Sequence, residues 1–249
     1  MSRSHLVIPD TQVKSGVPLD HIHALAAMIV EHQPDVIIHL GDHWDMPSLS
    51  AYDGKGSKSM EGRRYRADIA AGNRAMKIIN DAINSVKGYD PEKHFFCGNH
   101  ENRIIRAIEA DPQKLDGVIG YHDFTELEDW CVYDYQKIGV IDGVAYSHVF
   151  VNQFSGRSIG GSIDNRLNKL KFSFTQGHIQ MFQYGQDYLN NGQCIQGLVA
   201  GAFYMHDEDY KGPQGNNHWR GVVYKTNVSH GNYDFEMIKL ETLLKLYGE

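Results

Sequence analysis

The chain has no run of about 18 consecutive apolar residues, and its first residues lack a charged segment followed by an apolar one, so neither a membrane span nor a secretory leader is predicted. A soluble, cytoplasmic protein is the expectation, with no membrane partner. Cysteine is scarce. Cys97, Cys131 and Cys194 are odd in number and far apart, which argues against a disulfide framework or a zinc ribbon and for reduced thiols, Cys97 packed in the core. Positive charge is also in deficit: 24 Lys and Arg face 31 Asp and Glu, a net charge of −7 that disfavours nonspecific adhesion to nucleic acid over the whole surface. Internal repeats, heptads, low-complexity tails and a clear linker are all missing, so 249 residues with 41% hydrophobic content predict a single domain over 1–249.

What is present is an alternation of strands and helices. His5–Ile8, Val36–Leu40, His94–Cys97, Val144–Tyr146 and Phe172–Thr175 read as strands. Ile22, Leu25, Ala26, Ile29 and Val30 repeat at helical spacing, with Asp20 placed to cap and Pro34 to close the helix. Ile69, Met76, Ile79, Ile83 and Val86 mark a second helix from Asp68 to Val86, giving two βαβ units separated by a polar loop at Gly54–Ser59. From about Asn191 the chain is rich in Gly, Asn, Tyr and Val and reads as strands and hairpins.

Each strand is followed by groups able to ligate a metal: Asp10-Thr11-Gln12, Gly41-Asp42-His43-Trp44-Asp45, Gly98-Asn99-His100-Glu101, Ser147-His148 and Gly177-His178-Ile179-Gln180. Any one of these would be a turn or a core histidine. Together they predict strand ends meeting on one rim to build a metal site, the glycines letting the backbone turn sharply into it.

Two short basic segments stand against the acidic balance. Lys55, Lys58, Arg63, Arg64 and Arg66 follow the second motif, and Arg157, Arg166, Lys169 and Lys171 follow His148. Either is a solvated face or a contact for phosphates. Tyr52, Tyr65, Phe154 and Trp219 are candidates for stacking on bases, although core packing is the first expectation for each.

Over residues 6 to 180 these motifs, in this order, resemble the calcineurin-like metallophosphoesterases, and Gly41-Asp42-His43-Trp44-Asp45 and Gly98-Asn99-His100-Glu101 are the specific ones. The resemblance implies an α/β fold, a four-layer sandwich of two mixed β-sheets flanked by helices. It implies one ion held by Asp10, Gln12, Asp42 and Gln180, and a second by Asp42, Asn99, His148 and His178. His100 would be the general acid, oriented by Glu101 or Asp45, with Arg63, Arg64, Arg66 and Arg103 as substrate-binding cations. One or two divalent ions are implied, Mn2+ first, with Zn2+, Fe2+, Ni2+ or Mg2+ as alternatives.

Where that family carries histidine in its first and last motifs, this chain carries Gln12 and Gln180, both on the same ion. Neutral amide oxygens suit Mn2+ or Mg2+ better than zinc. No Asp-Arg-Gly follows Asp45, which counts against a phosphoprotein phosphatase, and several segments look similar to phosphoesterases of bacteriophages. The predicted function is hydrolysis of a phosphodiester in a nucleic acid or nucleotide. A phosphomonoesterase and a catalytically impaired binding module are the alternatives.

Overall fold

The structure is a computed structural model that describes residues 2–50, 60–207 and 215–248. The loop expected at Gly54–Ser59, with Lys55, Lys58 and Tyr52, lies outside the described residues.

The chain runs β1 (Arg3–Ile8), α1 (Asp20–His32), β2 (Val36–His39), α2 (Tyr65–Ser85), β3 (Glu92–Phe96), α3 (Asn102–Ala110), α4 (Pro112–Leu115) and β4 (Cys131–Tyr133). It continues through β5 (Gly139–Ile141), β6 (Val144–Ser147), α5 (Ile163–Leu170), β7 (Phe174–Gln176), β8 (Phe182–Tyr188), β9 (Cys194–Ala200), β10 (Gly221–Ser229) and β11 (Asn232–Lys239) to a last helix, Leu240–Tyr247. One sheet has six strands in the order β11-β10-β1-β2-β3-β4, the other five in the order β5-β6-β7-β9-β8. Each contains a parallel run: β1 to β4 in the first, β6, β7 and β9 in the second. In the first sheet antiparallel β10 and β11 extend one side and parallel β4 forms the other edge, whereas in the second antiparallel β5 and β8 flank the run on both sides.

Period-two alternation explains the layers. Leu6, Ile8 and Ile37 face α1, α2 and the last helix, whereas Val7, Val36, Ile38 and Leu40 face Val144, Tyr146 and Leu198 between the sheets. A third cluster, Phe150, Leu167, Phe174 and Ile195, lies under α5. The fold is therefore a four-layer α/β sandwich of two mixed sheets with helices outside. The strands from Asn191 onward do not stand apart. β10 and β11 complete the first sheet, and β9 pairs within the second.

Local differences from the sequence expectations have simple causes. Leu19 is the N-cap of α1 and Asp20 its first residue, so Asp20 makes no capping hydrogen bond and contributes only its charge to the first turn. The last helix was hidden in a stretch read as strands, although Leu240, Leu243, Leu244 and Tyr247 have helical spacing. In α2, Gly72 serves packing: a Cβ there would lie 2.0 Å from Trp44 Cδ1. Trp44 stacks on Phe124 at 4.0 Å and donates from Nε1 to Asn73 Oδ1, which clamps the second motif against the helix.

The interior holds uncharged titratable groups. Burial pushes His5 and His43 each down to about 4, and burial pushes the Lys225 amine well below its usual range; Lys225 Nζ donates to Thr175 Oγ1 at 2.6 Å. The unfolded chain takes up protons on these histidines near pH 6.5, the folded chain near 4. Stability is thus full above pH 6.5 and falls as the pH drops toward 4. Between pH 7.5 and 5 each histidine should contribute a loss of about 2 kcal/mol. Chemical denaturation at the two pH values checks this, and an unchanged midpoint would show that the histidines protonate inside the folded protein.

Candidate metal centre

Five strands deliver the expected ligands from their carboxyl ends: β1 leads to Asp10 and Gln12, β2 to Asp42 and Asp45, β3 to Asn99 and His100, β6 to His148, and β7 to His178 and Gln180. The turns that aim them are not all glycine turns. Gly41 has a positive φ of 88°, but Gln12, Asp42 and His178 themselves lie in the left-handed region at 41°, 48° and 64°. Gly98 and Gly177 are required by close approach instead. A Cβ at Gly98 would fall 2.1 Å from Asp42 Oδ1, and one at Gly177 would fall 2.8 Å from Asp10 Oδ1.

Asp42, His148 and His178 bring one donor atom each within 4.8 Å of one another. Asn99 Oδ1 joins them, 2.7 Å from His178 Nδ1 and 3.1 Å from His148 Nε2. His148 Nδ1–H donates to the Leu40 carbonyl at 2.7 Å, and burial holds the ring neutral with a pKa of about 4, so Nε2 carries a lone pair. That lone pair faces the oxygen of Asn99, acceptor against acceptor. A cation between them reconciles the pair, and two imidazoles, an amide oxygen and a carboxylate are the donor set of a divalent transition metal.

The other half of the centre contains only oxygen. Asp10 Oδ2 and Gln12 Oε1 are buried and have no hydrogen-bond partner among the described residues. Burial, followed by the charge of Asp42, drives the Asp10 carboxyl well above its usual range, a cost that a neighbouring cation would relieve. Gln180 Oε1 accepts from the Tyr204 hydroxyl at 2.9 Å. Tyr204 comes from a sixth strand end, that of β9: Ala202 bridges to Asp10, and Phe203 N–H donates to the Asp10 carbonyl at 2.8 Å. No ligand motif marks this segment, so sequence reading missed it.

His100 stands beside these groups, its Nδ1 2.7 Å from Asp45 Oδ1 and its Nε2 3.9 Å from Asp42 Oδ2. Burial lowers its pKa, but Asp42 and Asp45 outweigh burial and raise it to about 9. Asp45 is further fixed by Lys14 Nζ at 3.2 Å. Glu101 does not orient His100. Its carboxylate accepts four backbone N–H groups, those of His43 and Trp44 on Oε1 and of Asp42 and Gly98 on Oε2, at 2.7 to 2.9 Å. It binds the second and third motifs together.

The arginines divide. Arg103 donates to the Asp45 and Met46 carbonyls and lies 3.1 Å from His100 Nε2, while Arg63 donates to the Pro47 carbonyl, so these two hold three successive carbonyls after the second motif. Arg64 and Arg66 are exposed at the start of α2. Of the aromatic candidates, Tyr65 donates to Asp123 and Trp219 packs on Phe182, whereas Phe154 is 99% exposed, contrary to the core expectation.

A further device was not legible in the sequence. Gly41 N–H donates to His39 Nδ1, His39 Nε2 faces Thr11 Oγ1, Thr11 pairs with His43 Nδ1 at 2.8 Å, and His43 Nε2 donates to the Gly72 carbonyl. This buried chain ties the first motif to the second and both to α2.

No family model matches the chain. The "Gene 54 protein" of Mycobacterium phage L5 is 28% identical over 133 residues, 52% of this chain and 48% of that protein. The chain thus spans about half the length of that curated relative. A solved structure aligns with 96% of this chain and 100% of its own, with a TM-score of 0.43 and 9% identity. No helix among the described residues is long and apolar enough to cross a membrane.

Proposed function

We propose that the chain is a calcineurin-like metallophosphoesterase that hydrolyses a phosphodiester, carried by a nucleic acid or a nucleotide. The observation that carries this reading is the convergence of Asp42, Asn99, His148 and His178 around one point, with His100 held next to it by Asp45. Asp42, Asn99, His148 and His178 would hold one divalent ion, and Asp10, Gln12, Asp42 and Gln180 the other. Ions bound there would lower the pKa of the attacking water toward about 7 and neutralise charge on the phosphoryl oxygens. The Asp45 carboxylate paired with His100 Nδ1 favours the protonated ring, which can give its proton to the departing oxygen. Buried Asp45 keeps the ring turned, and Arg103 adds a cation beside it. A cytoplasmic setting suits the three free thiols.

The two donor sets differ in hardness, so the ions should bind with different strength. Metal-stripped protein, titrated with Mn2+ while it hydrolyses a chromogenic phosphodiester and the matching monoester, should act on the diester in two phases. The imidazole set fills first, and activity rises again as the oxygen-only set fills. Anomalous scattering from Mn2+-soaked crystals reads the two positions separately. Preference for the monoester would make the protein a phosphomonoesterase, and absence of hydrolysis with every divalent ion would leave only a metal-binding module.

A further inference from the structure

The segment between the ligand His148 and α5 is a built hairpin with a bare aromatic at its tip. Val151 and Ser158 form an antiparallel bridge, Asn152 N–H donates to the Arg157 carbonyl at 2.9 Å, and Ile159 N–H donates to the Phe150 carbonyl at 2.8 Å. Buried Phe150 and Ile159 anchor the base of the hairpin. At the tip Asn152 Oδ1 accepts from the backbone N–H groups of Phe154 and Ser155 at 3.0 and 3.1 Å, which presets the turn. Phe154 then projects into solvent, 99% exposed, among Gln153, Ser155 and Gly156.

The stretch of sequence that carries the hairpin is cationic, in a chain whose net charge is −7. From Val149 to Phe172 there are four basic residues, Arg157, Arg166, Lys169 and Lys171, and one acid, Asp164. Arg157, Lys169 and Lys171 are exposed. Arg166 is only 1% exposed, donates to the Ile159 carbonyl at the hairpin base and to Gln176 Oε1, and leaves its Nε without a partner among the described residues. Its side chain pairs with no carboxylate among the described residues, so its charge acts on the rim where Gln176 leads into His178.

We infer that this hairpin is a binding platform for single-stranded nucleic acid, on which Phe154 stacks against a base while Arg157, Lys169 and Lys171 face the phosphate backbone. The inference rests on the phosphodiester reading and names its substrate. Phe154 lies six residues after His148, so a base stacked on it belongs to a strand whose phosphate can reach the metal centre within about 20 Å. A single strand is specified because stacking on a side chain needs an unstacked base, and the lone aromatic amid polar residues offers too little apolar area to enter a bilayer.

Binding of a dye-labelled single-stranded oligonucleotide to the full chain in EDTA, read by fluorescence anisotropy, tests this without turnover. The chain should bind the single strand tighter than the matching duplex. Phe154→Ala should weaken binding by about 5- to 100-fold, and Phe154→Trp should restore it with indole emission quenched by the oligonucleotide. A strand made abasic throughout should bind both the parent and Phe154→Ala equally. Because Phe154 is exposed, thermal unfolding should be the same in all three proteins. Equal affinity of the parent and Phe154→Ala for the base-containing strand would overturn the inference, as would an equal loss on the abasic strand or a loss of lipid-vesicle binding in its place. Hydrolysis of the chromogenic diester by the parent tests the phosphodiester reading separately. If the parent has no such hydrolysis while the binding results stand, the catalytic reading fails and the platform remains.

Discussion

Replacing His100 with asparagine should lower turnover by about 10²–10⁴-fold and leave the metal content unchanged. His100 faces Asp45 with one ring nitrogen and stands 3.9 Å from the Asp42 carboxylate with the other, a position suited to delivering a proton and outside the cluster of Asp42, His148 and His178. Its backbone N–H, which donates to Asp42 Oδ1 at 2.9 Å, is retained in the variant, so the shared carboxylate keeps its position. The loss should be greatest for a diester with a poorly stabilised alkoxide leaving group and small for a nitrophenolate, which departs without a proton. Equal losses on both substrates, accompanied by loss of metal, would make His100 a ligand.

Glu101→Gln should be the most damaging change to the scaffold of the centre. Each oxygen of Glu101 accepts two backbone N–H groups. An amide replaces one of these acceptors with a donor, so two buried N–H groups lose their partner and meet another N–H. At about 1–3 kcal/mol for each buried group left unsatisfied, the expected destabilisation is about 2–6 kcal/mol. Because the four donors belong to the loops that carry Asp42 and Asn99, affinity for divalent ions should fall with stability. Denaturant unfolding and calorimetric metal titration check the two effects. A variant as stable as the parent, with parental metal affinity, would show that the loops hold themselves without the carboxylate.

The candidate metal-binding residues were legible because each comes within a few residues of the end of a segment that reads as a strand, and polar residues gathered there in five places have few roles. The supports were not legible, for a physical reason. Glu101 works through backbone N–H groups, which every residue has, so nothing in the sequence distinguishes a carboxylate that binds loops from one that orients His100. His39 and His43 looked like a strand residue and a spacer, yet they are links in a hydrogen-bonded chain that exists only once Thr11 and Gly72 are brought between and beside them. The glycines before Asp42 and Asn99 look alike in sequence. One takes a positive φ, and the other makes room for a carboxylate from a different strand. Phe154 was weighed as core because most phenylalanines are, and its exposure depends on an asparagine turn whose direction the sequence does not encode locally.

Gln12, Asp42 and His178 hold left-handed backbone conformations on three separate loops, and each is a candidate side-chain donor to the proposed metal centre. Such positions favour glycine and accept Asn, Asp and His more readily than Gln, on conformational grounds alone. In a laboratory evolution experiment screened only for heat resistance, Gln12 is therefore where glycine or asparagine would accumulate, at the expense of the proposed metal centre. Asp42 and His178 have no comparable conformational incentive to change, so selection on melting temperature alone would erode the proposed centre first on the side of Gln12.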